Sequence, residues 1–529
     1  MRTIQGILPA NPRKSPMMAL AFLCAVVIGA YEVSDFILAG NMAGLAYVGM
    51  AVVVAAFVVS MLTSWRRGVY IFFAWLLFED FARKYLGNNM AIYFAKDLLA
   101  AVVYLSFFLA WRRRKAQGFR PPFLVPLMLM VWFGVLQVFN PASPSYVYGL
   151  LGIKLFFYYI PLMWVGYALM DSELELRRFL KVNLVLIMLI AGLGIVQSIV
   201  GPTFLNPSVM QEDIRELSNL YRVAPISGFV VYRPTSVFVS TGRYADLLIV
   251  AWLITLGFVG YSLLRFPKGR LLGFFAASFV AAGIALSASR GAFAWGLIHA
   301  IAAAAAFLWG APWRQGEARR ILRTIFRVGL GIGFAIVLLM FTFPDALLGR
   351  LAVYSETMSP DSPTGELGHR ARDYPIRSFL GAFDSDRWPY GHGIGTTSLG
   401  TQYVSRIVGV KPLVVGVESG FGAIVVEMGI VGLALWLVMT AAVLFSAWRV
   451  VKRLRGSTWF PLGFVIFFYA AFLLIPQMIG GIQAYEDFVL NAYLWLLLGV
   501  LFRLPQLKAA AEVKAAEQSL TAQPPRWVT

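Results

Sequence analysis

The chain has 529 residues, of which 59% are hydrophobic and 13% charged, and its formal net charge is +19. A soluble domain carries about 25% charged residues, so with a mean hydropathy of +0.73 this composition excludes a water-soluble globule. Nor does the excess of Lys and Arg mark a nucleic-acid binder: much of it sits in short clusters between apolar runs, as the positive-inside rule expects.

The first thirty residues place Arg13 and Lys14 ahead of an apolar core and resemble a signal peptide. No small-x-small cleavage site follows, so the segment reads as an uncleaved first helix. Cys24, the single cysteine, leaves no intrachain disulfide. Apolar runs long enough to span the hydrocarbon number about fourteen. They fall near 17–37, 40–62, 68–86, 90–110, 122–140, 147–170, 179–201, 243–264, 270–288, 291–310, 324–343, 419–447, 459–480 and 486–502.

Basic clusters punctuate alternate connections: Arg66-Arg67, Arg112 to Lys115, Arg177-Arg178 with Lys181, Arg265 to Arg270, Arg319-Arg320 with Arg323, and Lys452-Arg453 with Arg455. These connections and both termini are expected on the cytoplasmic side. The opposite connections include two long extracytoplasmic loops, about 202–241 and 344–418. No internal repeat is visible. One polytopic all-α membrane domain over 1–502 is expected, with a tail over 503–529 that reads as a short cytoplasmic helix followed by disorder.

On this topology ionisable residues gather at the outer face. Glu79, Asp80, Arg83 and Lys84 end the third span, Lys96 and Asp97 begin the fourth, and Lys154 lies about two turns into the sixth. Arg243 and Asp246 open the eighth span, Arg290 sits in the tight hairpin SASRGA, and Glu418 opens the twelfth. Charges at membrane depth are costly and need partners. The first four read as mutually paired or interface-anchoring groups, while Lys154 and Arg290 call for an anion. Arginine suits phosphate, because its planar fork donates two parallel hydrogen bonds and stays charged.

The three histidines are scattered. His299 reads as a hydrogen-bonded bundle residue, and His369 and His392 as polar groups of the large loop. They form no metal site. The run GHGIG at 391–395 does not open a helix after a strand, so it reads as a turn rather than a phosphate cradle.

Three pieces, in order, resemble the O-antigen ligase and Wzy-type polysaccharide polymerase superfamily. They are SASRGA around Arg290, the stretch from HRARDYPIRSFLGAF to PYGHGIG, and VESGFGAIVVEMGIVGLALW at 417–436. The resemblance covers roughly 230–445 and implies a fold similar to the C-type (GT-C) membrane glycosyltransferases. It implies transfer of a glycan from a polyprenyl (undecaprenyl) diphosphate to a hydroxyl. The reaction is expected at the outer face of a bacterial inner membrane, without nucleotide sugar, metal or other cofactor. Flippase and chain-length regulator proteins are the partners such a resemblance implies, beside the lipid-linked glycan itself.

Carried over residue by residue, Arg290 matches the hairpin arginine that holds the diphosphate. Arg370 or Arg372 matches the arginine of the large loop. Arg233, in VYRPTSVF, matches one in the smaller outer loop, and Lys154 joins the diphosphate set on the residue-level reading above. Ligase-like members often begin the helix after the large loop with His-Asn. Here Glu418-Ser419 stand at those positions, which favours a polymerase-like or exopolysaccharide branch. Glu418 is then the expected base for the acceptor hydroxyl, with Arg290 stabilising the leaving group. On a continuous helix Glu427 would lie about 13 Å deeper and on the opposite side, so it reads as structural or pocket-lining. The rival expectations are a ligase delivering whole glycan to another acceptor, and a lipid-linked glycan flippase or other transporter.

Overall fold

A computed structural model describes residues 54–86, 90–207, 220–312, 341, 344–359, 369, 373–413 and 417–521. The expected spans at 17–37 and 324–343 therefore lie outside the described residues, as does most of 40–62. By internal contacts the chain divides at Ile71 into residues 1–71 and residues 72–529. The described part of the first unit is the helix Val54–Thr63 and the opening turns of the helix Trp65–Leu86 (α1).

In the second unit α1 runs on to Leu86, followed by α2 (Met90–Arg112), α3 (Leu124–Val138), α4 (Tyr146–Phe157), α5 (Leu162–Leu169) and α6 (Glu173–Val200). A short antiparallel hairpin comes next, β1 (Tyr221–Val223) with β2 (Val230–Tyr232), in which Arg222 faces Val231. Then come α7 (Thr241–Leu264), α8 (Arg270–Leu286), α9 (Arg290–Gly310), α10 (Pro344–Met358), α11 (Tyr374–Gly381), α12 (Thr401–Val408), α13 (Gly420–Leu454) and α14 (Phe460–Leu474). The short helices α15 (Pro476–Gly480) and α16 (Gln483–Glu486) lead to α17 (Phe488–Thr521). Among the described residues nine helices are long and apolar enough to cross a membrane. The protein is a mostly helical, multi-pass membrane protein.

Serine caps set where several of these helices begin. Ser145, Ser172, Ser240, Ser289 and Ser419 each accept a hydrogen bond from a backbone N–H of the first turn, starting α4, α6, α7, α9 and α13. The cap satisfies a donor that has no intrahelical partner. Glycine decides the closest contact. A Cβ on Gly166 would stand 2.2 Å from the Leu496 carbonyl oxygen, and one on Gly499 would stand 2.0 Å from that of Met163. Only glycine lets α5 and α17 approach this far, as small residues do between membrane helices.

The sixth expected span is one of these nine, over Tyr146–Leu169, with Tyr158 to Pro161 separating α4 from α5 within it. The last expected span is longer than its apolar run, because α17 continues through Pro505 to Thr521. It thus joins the expected span to most of the expected tail.

The two ends of the bundle are distinct. At one end Gly456 donates to the Gly310 carbonyl, and Glu173 receives Arg265 at 2.7 Å. At the other lie the β-hairpin, the α8–α9 corner, α10 to α12 and the α14–α17 connection. Arg290 and Glu418 both belong to this second end. Each precedes or opens a helix that flanks α14. Trp295 of α9 packs edge-on against Phe472 at 4.7 Å between ring centres, and Gly420 of α13 abuts the Met478 carbonyl just beyond α14.

Candidate functional site

The α8–α9 corner is built by residues from three other places in the chain. Ala288 takes a left-handed φ of 51°, a conformation alanine adopts at a cost. Two guanidinium groups hold it there. Arg222 of β1 donates from Nη1 to the Ala288 carbonyl at 3.0 Å, and Arg350 of α10 donates from Nε to that of Leu286 at 2.8 Å. Arg350 also donates from Nη2 to the Tyr232 carbonyl at 3.1 Å, tying corner, hairpin and α10 together. Ala224, Val231, Ala288 and Val353 form the small apolar core beneath. Tyr354 stacks on Phe293 at 4.6 Å and donates to the Ala285 carbonyl at 3.1 Å.

The corner presents Arg290 as the first residue of α9, and β2 leads directly into Arg233. The two guanidinium groups are electrostatic neighbours. Burial, and then the Arg290 charge, hold Arg233 below the ordinary arginine range, with Tyr354 opposing them. Arg233 is fixed from behind. Lys84 of α1 donates to Thr235 Oγ1 at 2.9 Å and to the Ser236 carbonyl at 2.7 Å. The Gln197 side-chain oxygen of α6 accepts from the backbone N–H groups of Thr235 and Ser236 at 2.9 and 2.7 Å.

Most of the ionisable residues that stand out near the helix ends in the sequence pair with one another. Asp80 receives Arg83 at 3.1 Å and Arg243 at 2.5 Å, and Arg243 also reaches Asp487 at 2.9 Å. Glu79 pairs with Lys96 at 3.1 Å. Lys154 pairs with Asp97 at 2.6 Å, its ammonium lying over the Tyr93 and Phe94 rings. No contact among the described residues joins Lys154 to Arg233 or Arg290. Arg370 and Arg372 lie outside the described residues.

Glu418 directly precedes the Ser419 cap. Its backbone N–H and that of Ser419 both donate to Ser378 Oγ of α11, at 2.7 and 2.8 Å. Its side chain is exposed, and among the described residues the carboxylate has no ion pair or hydrogen bond. Beside it lies an apolar cavity of about 300 Å³ lined by Ile376, Phe379, Leu380, Ser419, Phe421 and Leu437 among others. No described contact links Glu418 to Arg290.

The GHGIG run has a role that its spacing does not reveal. It is a turn, with Gly391, Gly393 and Gly395 all at positive φ. The turn fills a break in α13, where Gly429 departs from helix geometry at φ 70° and ψ −175°. His392 N–H donates to the Val426 carbonyl, Gly393 N–H to that of Glu427, and Ile430 N–H to that of Trp388. The fully buried Glu427 carboxylate accepts from Gly395 N, Thr397 N, Thr397 Oγ1 and Ser398 Oγ at 2.8 to 3.0 Å. The N–H and hydroxyl groups of the turn thus converge on the carboxyl group of Glu427. Glu486 receives the next N–H, from Leu399, at 2.8 Å.

The histidines divide three ways. His392 approaches Ser385 Oγ at 3.0 Å, and burial followed by the Arg387 charge holds it below the ordinary imidazole range. His369 lies against the Tyr374 ring. His299 is not hydrogen-bonded among the described residues. It is packed in rings from Trp295, Phe468 and Phe472. Among the described residues the expected hydrogen bond is not seen, and aromatic faces and edges pack around the ring.

Sequence reasoning missed Arg222 and Arg350, which act on the corner through backbone carbonyls that no motif marks. No group of three His, Cys, Asp or Glu among the described residues is placed to hold a metal ion. Comparison of the chain with protein-family models, with curated proteins and with solved structures returns no match.

Proposed function

We propose that the chain is a membrane glycosyltransferase acting on polyprenyl-diphosphate-linked glycan, with repeat-unit polymerisation as its reaction. The observation that carries this reading is the Arg233–Arg290 neighbourhood at the looped end of the bundle. An anion reaching both guanidinium groups would lower the repulsion between them. A diphosphate supplies that anion and offers each fork a pair of oxygens.

In this mechanism the acceptor hydroxyl attacks the anomeric carbon and forms the new C–O bond. The bond from that carbon to the diphosphate oxygen breaks, and its electron pair leaves on the diphosphate. Arg290 and Arg233, with Arg370 or Arg372 from the large loop, balance the charge that gathers there. Glu418 takes the hydroxyl proton, and direct displacement inverts the anomeric centre. The unpaired carboxylate of Glu418 suits a base, and the apolar cavity beside it suits alkyl chain rather than sugar.

The test is reconstitution. Purified protein receives one lipid-linked repeat unit, no nucleotide sugar and a chelator, and the product is assayed for longer glycans. Lengthened chains support the reading. Unchanged substrate with the intact protein counts against it, and movement of the substrate across a vesicle membrane without lengthening makes the chain a transporter. Delivery of whole glycan to a separate acceptor, with no repeat-to-repeat linkage, makes it a ligase.

A further inference from the structure

A cavity of about 830 Å³ lies at the end of the bundle opposite Arg290, between the start of α6, Phe266 and the extension of α17. Its rim carries Arg177, Arg178, Lys181 and Lys514 against the carboxylates Asp171 and Glu173. Glu173 is already engaged, by Arg265 at 2.7 Å and Arg177 at 2.5 Å. Neither Lys181 nor Lys514 has an ion pair among the described residues; the Lys181 ammonium rests 4.9 Å from the Phe266 ring centre. Arg178 lies 3.9 Å from Glu175, so the excess of positive charge at the rim rests on Lys181 and Lys514.

The wall below is alkyl. Val182 lines the cavity, and Val185 and Leu189 follow on the same face of α6 at 53% and 50% exposure. Spacings of three and four residues align them beneath Arg178 and Lys181. Helix α6 has 28 residues and is about 42 Å long, enough to cross the bilayer. Its charged first turns thus meet the level of lipid headgroups, and its apolar stripe meets the acyl chains.

We propose that this cavity is a binding site for an anionic phospholipid. The phosphate-bearing headgroup sits between Arg178, Lys181 and Lys514, and an acyl chain follows Val182, Val185 and Leu189. A free phosphate ester would use the cations and leave the stripe idle. The continuity of rim and stripe favours the lipid.

The test uses the full-length protein in neutral detergent, with lipid retention read by native mass spectrometry. Phosphatidylglycerol binds in preference to phosphatidylcholine. Lys181→Gln and Lys514→Gln each weaken it by about fivefold, and together by about 25-fold. Lys508→Gln, whose ammonium is 3.9 Å from Glu512 and does not line the cavity, leaves binding unchanged. An unaltered melting temperature in phosphatidylcholine shows that the variants remain folded. Equal retention of phosphatidylglycerol by parent and double variant overturns the proposal, as does an equal loss from Lys508→Gln. Competition by glycerol phosphate at the concentration of the lipid shows a soluble-phosphate site and overturns the assignment to lipid.

Discussion

Gly395 donates its backbone N–H to the Glu427 carboxylate at 2.8 Å, across a break in the helix that carries the glutamate. A Cβ on Gly391 would stand 2.4 Å from the Glu427 carbonyl oxygen, and one on Gly395 would stand 2.1 Å from that of Tyr148. The glycines thus serve close approach to backbone on both sides, and positive φ at the same time. The loop is joined to α13 through the buried Glu427 carboxyl group and through backbone hydrogen bonds beside it.

Removing that carboxylate leaves four donors without an acceptor. Glu427→Ala is expected to destabilise the protein by about 3 kcal/mol or more, since each orphaned buried donor costs about 1–3 kcal/mol. Glu427→Gln keeps part of the acceptor and falls between. Thermal unfolding in detergent ranks the three proteins, and parent-like melting of Glu427→Ala would show that the clamp contributes nothing.

Arg290→Ala and Arg233→Ala are each expected to lower glycan transfer by about 100-fold, or about 3 kcal/mol of barrier, with the protein still accumulating in the membrane. Glu418→Gln is expected to lower the rate with little change in donor affinity. Single-turnover rates and donor binding separate these effects. Parent-like transfer from any one variant removes that residue from the mechanism.

Arg243 stands between Asp80 and Asp487, so Arg243→Met leaves the buried Asp487 carboxylate without its cation while Asp80 keeps Arg83. A loss of about 3–5 kcal/mol is expected. Adding Asp487→Asn is expected to recover most of it, with Asp80 still held by Arg83, and the melting temperatures of the single and double variants check the coupling.

Lys154 and Asp97 give a sharper contrast. As a self-contained pair, Lys154→Met is corrected by Asp97→Asn, and the double variant transfers glycan at the parental rate. As a diphosphate ligand, Lys154 cannot be replaced in this way. Activity of the double variant decides between the two roles.

Glu356 accepts hydrogen bonds from the Ile226 and Ser227 backbone N–H groups at the tip of the β-hairpin, and the Ser227 side chain, followed by these two N–H groups, holds its carboxyl below the usual range. A depressed carboxylate stabilises the fold above its unfolded pKa, and the contribution is lost as pH falls through the folded value. Protection of the Ile226 and Ser227 amides, after correction for intrinsic exchange, is therefore expected to hold near neutrality and disappear in acid. Protection unchanged across that range would show that the charge is not needed.

Much of this was legible in one dimension. Long apolar runs, alternating basic clusters and the SASRGA hairpin give the helices, the two distinct ends and the position of Arg290 at a corner. These depend on local composition and on the requirement that backbone polar groups be satisfied within each membrane helix. The pairing of the outer-face carboxylates and ammonium groups was foreseeable in kind, because unpaired charge at that depth is costly. The partners were not: Asp80 finds Arg243 and Arg243 finds Asp487, each far away in sequence.

The α4–α5 break, the re-entry of GHGIG beside Gly429 and the grip of Arg222 and Arg350 on the corner carried no local signal. They arise from carbonyls and N–H groups that every residue owns, so the side-chain alphabet does not report them. Sequence by itself determined that this is a membrane protein of many helices with its charge concentrated at the helix ends, since transfer free energy is additive along the chain. Tertiary structure decided that Lys154 meets Asp97 and that Arg243 bridges Asp80 and Asp487. Long-range electrostatic partnership depends on how helices pack, and packing is a property of the whole bundle.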